Sequence, residues 1–130
     1  KSCMGGWGST GLNIAPDGTV LPCHAAQTIT GLTFQSVREA RLAQIWRDGS
    51  AFNAFRGTAW MPEPCQSCDR RDVDFGGCRC QAMAAAGDAR ATDPVCSRSS
   101  LNARLRAEAE ADATSDDTAL VYRRMARENR

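Results

Sequence analysis

No run of apolar residues in this 130-residue chain approaches the ~20 needed to span a bilayer. The longest, such as the stretch 82–87 (AMAAAG), are far too short. No charge of one sign predominates either: the net charge is +1, which gives no reason to expect nucleic acid or an anionic membrane as the main partner. No internal repeat and no secretory leader are present. The chain opens KSCMGG without an initiator methionine, and we expect it to be a portion of a longer polypeptide. What remains is room for one modest domain with a small core.

Cysteine, by contrast, is abundant. There are seven, an odd number that would leave one thiol over in a disulfide scaffold. Four of them fall in CQSCDRRDVDFGGCRC, residues 65–80. Cys65 and Cys68 are separated by two residues, and Cys78 and Cys80 by Arg79 alone. Neighbours this close suit two bonds to a common metal centre better than a bridge to each other.

The segment 3–23 is expected to form a β-hairpin, with LNIA and TVLP flanking a Pro16–Asp17–Gly18 turn. Glycines 5, 6, 8 and 11 should let the lead-in fold back and bring Cys3 toward Cys23. Ser36 and Glu39 make a capping-box pattern for a helix that carries Leu42, Ile45 and Trp46 on one face and ends at Gly49. Ser50 opens a shorter helix with Phe52 and Phe55, stopping at Gly57; these aromatics and Trp60 are expected in the core. MPEP then breaks the helical pattern, and residues 65–80 should be a loop in which Gly76 and Gly77 permit close wrapping. A short helix follows over QAMAAAGD with Gly87 as its stop, and TDPVC returns the chain to Cys96. Beyond it, seven arginines and six acidic residues over positions 97–130 predict a solvated helix or disordered tail, in which only ALVYRRM at 119–125 is apolar enough to dock.

A single zinc ion needs four ligands, which Cys65, Cys68, Cys78 and Cys80 could supply, but that leaves Cys3, Cys23 and Cys96 idle. Two iron–sulfur clusters need about eight ligands, one more than the cysteines provide. His24, Asp69, Asp72 and Asp74 are the candidates for the eighth.

The spacing Cx14Gx4C from Cys3 through Gly18 to Cys23, then Cx2C at 65–68, a gap of five to Asp74, a gap of three to Cys78, and a distal Cys96, resembles the SPASM domain of radical S-adenosylmethionine (SAM) enzymes. Asp74 stands where that family's pattern has a cysteine, and Cys80 is an addition. In both departures, and in CMGGWG, PDGTVLPCHAA, FNAFRGTAWMPEPC and GDARATDPVC, the chain resembles the family of PqqA peptide cyclases of pyrroloquinoline quinone (PQQ) biosynthesis.

The resemblance implies a small α+β fold stabilised by metal clusters: an N-terminal β-hairpin, short helices and cluster-binding loops over residues 1–97, then the tail 98–130. It implies that Cys3, Cys23, Cys78 and Cys80 bind a first auxiliary cluster, and Cys65, Cys68, Asp74 and Cys96 a second. Each would be [4Fe–4S], or one of them [2Fe–2S]. His24 is then read as packing or as a neighbour of a ligand. Arg70, Arg71 and Arg79 are read either as charges that tune the clusters or as a solvated face. Trp7 and Trp60 are expected to shield the clusters from solvent. The motif Cx3Cx2C, which holds the SAM-cleaving cluster, is absent, so no catalytic residue is expected here and the chain by itself is expected to be inactive. The full enzyme would join a Glu carbon to a Tyr ring carbon in the peptide PqqA, with the peptide chaperone PqqD and a reductant such as flavodoxin, in the cytoplasm. Other readings are a SPASM domain acting on a different peptide, or a structural zinc module for protein binding. With so many ligands needed to close it, the metal-free chain is expected to be largely unfolded.

Overall fold

The computed structural model describes residues 3 and 5–114; the ALVYRRM segment lies outside them. Two short antiparallel strands, β1 (Asn13–Ile14) and β2 (Val20–Leu21), pair in the register Asn13↔Leu21 and Ile14↔Val20. The turn between them is built as its residues demand: the Gly18 N–H donates to Ala15 O at 2.8 Å, the Thr19 N–H donates to the Asp17 carboxylate at 2.9 Å, and Gly18 sits at φ 91°. The strands cover less of 3–23 than the alternation suggests, because residues 5–10 coil in turns. Gly5, Gly6 and Gly8 supply positive φ there, whereas Gly11 does not. Trp7 is pinned under this coil by its indole N–H, which donates to Ala51 O at 2.8 Å.

The helix expected from Ser36 begins later, as α1 (Leu42–Asp48). The residues before it are held by the hairpin instead: the Val20 N–H donates to Gln35 O at 2.9 Å and the Val37 N–H to Gly18 O at 3.0 Å. The Glu39 carboxylate does accept from the Ser36 N–H at 3.3 Å, but it closes an isolated turn rather than a helix start. Of the expected apolar face, Ile45 is 1% exposed and Trp46 half-buried, while Leu42 is 40% exposed. Gly49 ends α1 with extended dihedrals (φ −61°, ψ 127°), so left-handed backbone is not why glycine stands here. A Cβ at this position would lie 2.4 Å from Ile45 O. Gly49 therefore lets α2 (Ser50–Asn53) follow without a spacer; this helix ends short of Phe55 and Gly57.

The stretch 65–80 is not a continuous loop. A one-turn helix, α3 (Arg71–Asp74), interrupts it, and α4 (Arg79–Ala86) already includes Arg79 and Cys80. Left-handed Phe75 (φ 51°), Gly76 (φ 74°) and Gly77 (φ 75°) reverse the chain between the two. Gly87 closes α4 in the left-handed conformation, as its position predicts. The last described element, α5 (Asn102–Thr114), has no buried residue, which fits the solvated-helix alternative for this part of the tail. Its start is tied down: the Asn102 side-chain amide donates to Pro94 O and Val95 O, both at 3.1 Å.

One core joins these elements. Trp7, Leu21, Ile29, Phe55, Trp60 and Met61 pack with Cys23 and Cys80, and Trp7–Phe55 and Phe55–Trp60 meet edge to face at 5.3 and 5.1 Å. The core is thus assembled directly against thiols. A second, smaller cluster of Val20, Ile45 and Phe52 lies under α1 and α2. The outcome is a small α+β fold with one two-stranded hairpin.

Candidate metal centre

The seven thiols fall into two groups. In the first, Cys23 Sγ and Cys80 Sγ are 3.6 Å apart and both side chains are buried. Cys3 hydrogen-bonds to Cys78 and feels the charge of Cys23, and Cys80 feels that of Cys78. The hairpin end delivers Cys23, the coiled lead-in delivers Cys3, and the first turn of α4 delivers Cys78 and Cys80.

Electrostatics within this group follow from crowding. Burial, then the neighbouring Cys78, pushes the Cys3 thiol up to about 11. The hydrogen bond shared with Cys80 holds the Cys23 thiol down to about 6, with help from the backbone amides of Ala25 and Ala26 and from His24. Cys80 is pushed up by the same hydrogen bond and by burial. His24 itself is exposed, which does not fit the packing role considered for it.

The second group surrounds a cavity of about 560 Å³ lined by Cys65, Cys68, Asp69, Asp74 and Cys96, and Cys3 and Cys78 line it too. Cys65 is raised by burial, feels the charges of Cys96 and Asp74, and lies 3.8 Å from Thr92 Oγ1. Asp74 has a turn role as well, because one carboxylate oxygen accepts from the Gly76 N–H at 2.9 Å. Among the other acidic candidates, Asp69 is exposed and pairs with Arg98 at 3.7 Å, and Asp72 is exposed and pairs with Arg71 at 3.3 Å.

Among the described residues, which include every cysteine, no three His, Cys, Asp or Glu side chains close on one point as a single ion would require. The tetrahedral set Cys65, Cys68, Cys78 and Cys80 is accordingly not gathered. The donor chemistry fits iron–sulfur clusters better: soft thiolates are their ligands, and a cluster presents several iron atoms to ligands that need not converge.

Two residues carry more of the site than their sequence context suggests. Asp93 is buried and accepts from the Cys78 N–H at 2.6 Å and the Val95 N–H at 3.0 Å, so it clamps the strand of chain before α4 to the loop that carries Cys96. Its signal in the sequence is faint, an Asp–Pro turn pair within TDPVC. The approach is so close that a Cβ on Gly77 would overlap the Asp93 carboxylate. Arg79 is 2% exposed, which excludes the solvated face considered for it; Arg70 is exposed and Arg71 half-buried. Trp7 and Trp60 are buried in the core that also contains Cys23 and Cys80.

With this geometry in view, relatives become informative. A family model described as an iron–sulfur cluster-binding domain, SPASM, matches residues 3–69, about half of the chain. The chain is 66% identical over 110 residues to a PqqA peptide cyclase of Rhizobium meliloti, covering 85% of this chain and 29% of that protein. It is 61% identical over 128 residues to one from Ruegeria pomeroyi (98% and 34%) and 59% over 124 residues to one from Xanthomonas euvesicatoria (95% and 33%). The chain thus spans about a third of the length of these relatives. A matching iron–sulfur domain model and a core built against grouped thiols lead to one assignment: this chain belongs to the SPASM family of iron–sulfur cluster-binding domains.

Proposed function

We propose that this chain is the auxiliary-cluster portion of a radical SAM peptide-modifying enzyme of PQQ biosynthesis and holds two iron–sulfur clusters. Cys3, Cys23, Cys78 and Cys80 hold the first, and Cys65, Cys68, Asp74 and Cys96 the second. What supports the reading is the closeness of Cys23 and Cys80, the coupling of Cys3 to Cys78 and Cys23, and the cavity shared by Cys65, Cys68, Asp74 and Cys96, together with 59–66% identity to PqqA peptide cyclases. Residues 1–97 form the cluster domain, and 98–130 are an appended segment.

Within this reading the chain's own residues hold, shield and bias the centres. Trp7 and Trp60 keep water from the first group. Asp93 fixes the Cys78 backbone, and Asp74 supplies a harder oxygen donor that covers its iron less tightly than a thiolate. When bound, the clusters supply one-electron transfer. In the complete enzyme that transfer would serve the oxidative joining of a Glu carbon to a Tyr ring carbon in PqqA, which PqqD presents, while a flavodoxin-like donor reduces the enzyme's iron–sulfur centres. Without a Cx3Cx2C motif, the chain alone starts no radical chemistry.

Iron and acid-labile sulfide per chain, measured after purification without oxygen, test the reading. Two clusters predict a brown protein with about six to eight irons and matching sulfide. A colourless protein with one zinc and no sulfide would refute it and favour a structural zinc module.

A further inference from the structure

We infer that Arg79 is a positioning residue that joins the two ligand groups, so that neither centre is set independently of the other. The inference rests on the two-cluster reading above. The Arg79 guanidinium is among the largest fully buried side chains, although it is charged. Its N–H groups donate to carbonyls on both ligand-bearing segments. Gly76 O and Gly77 O, on the turn that leads into Cys78, take one side of the fork. Ala89 O and Ala91 O, both at 2.9 Å and on the segment that leads to Cys96, take the other. Trp60 covers the face of the guanidinium at 4.7 Å.

Among the described residues no carboxylate is within 4.0 Å of this charge as a salt bridge; carbonyl dipoles hold it directly, and the buried Asp93 acts on it from farther away. It interacts electrostatically first with Asp93, then with Cys65 of one group and with Cys78 and Cys3 of the other. A buried positive charge facing two anionic centres favours the more negative, reduced form of each. Five donors in a rigid fork are also what four carbonyls from two segments require; an ammonium is a compact point charge on a flexible stem and does not reproduce that geometry.

The test compares Arg79→Lys, Arg79→Gln and Arg79→Met in the full-length enzyme, purified without oxygen. Iron and sulfide are assayed, and the electron-paramagnetic-resonance signals of both auxiliary centres are titrated against potential. Wild-type protein without iron and sulfide would overturn the two-cluster reading itself, before any variant is considered. The neutral variants should lower the midpoint of both centres, and Arg79→Lys should bring both back toward wild type while loading less iron. If Arg79→Met does not load, the Gln variant carries the potential measurement. Concurrent loss of both centres in all neutral variants, with recovery of both in Arg79→Lys, also supports the inference. A shift or loss confined to one centre, or two unmoved midpoints in a loaded neutral variant, would overturn it.

Discussion

The two thiol groups share one short turn yet occupy different surroundings. Cys23 and Cys80 are 6% and 8% exposed and lie within the main core beside Trp7 and Trp60. Cys65, Cys68 and Cys96 are only half-buried, around a cavity of about 560 Å³ that also admits the Asp74 carboxylate. Cys23 and Cys80 are part of the hydrophobic core and should stand or fall with it, whereas their partners Cys3 and Cys78 are half-buried and line the same cavity. The second is a set of donors on turns, held by backbone hydrogen bonds such as the Cys68 N–H to Cys65 O at 3.1 Å and the Cys96 N–H to Asp93 O at 2.9 Å. Burial thus distinguishes the Cys23–Cys80 pair from the other five thiols, which all line the one cavity.

Removing the iron is the strongest way to break this contrast. Uncompensated thiols in the first group then sit inside the core, and we expect the metal-free chain to lose most of its fold. Proton NMR of chelator-treated protein checks this, and retained chemical-shift dispersion would contradict it. Gly77→Ala comes next. Its φ of 75° and the overlap of a new Cβ with Asp93 should cost roughly 1–3 kcal/mol, break the Cys78–Asp93 clamp and lower iron retention in both groups. An apparent melting temperature equal to wild type would show that Asp93 yields freely.

Asp74→Cys sharpens the comparison from the other side. A thiolate at that position should keep the cluster and shift the potential and paramagnetic-resonance signature of the open group more than those of the buried group. Both can be followed in one redox titration. The smallest effect is expected far from either group. Asp17 is held below the ordinary carboxylate value of 3.8 by the Thr19 amide. A lowered folded-state pKa contributes stability that is present above the unfolded value and is lost as pH falls through the folded one. The difference in melting temperature between wild type and Asp17→Ala should therefore be largest above about pH 5 and vanish at lower pH. A difference independent of pH would point to the turn geometry instead of the charge.

Some of this was legible from residues alone. Pro16–Asp17–Gly18 encodes its turn locally, Gly87 ends α4 by its own backbone preference, and the cysteine spacings mark a metal-binding chain, because all three depend on near neighbours. The helix start at Ser36 failed for the opposite reason: its backbone partners, Gln35 O to Val20 and Gly18 O to Val37, come from a hairpin fifteen to nineteen residues away in sequence. Position 49 carries glycine, as helix-end preference suggests, but for close approach to Ile45 O instead of left-handed backbone.

By itself, then, the sequence determined the inventory of donors and the local turns that bend the chain between them, since short-range sterics and hydrogen bonding suffice for those. Only the tertiary structure decided which thiols face one another, that Asp93 clamps Cys78, and that Arg79 is buried between the two groups. These depend on which distant segments share the core, and a guanidinium loses its water only when carbonyls from several of them converge to replace it.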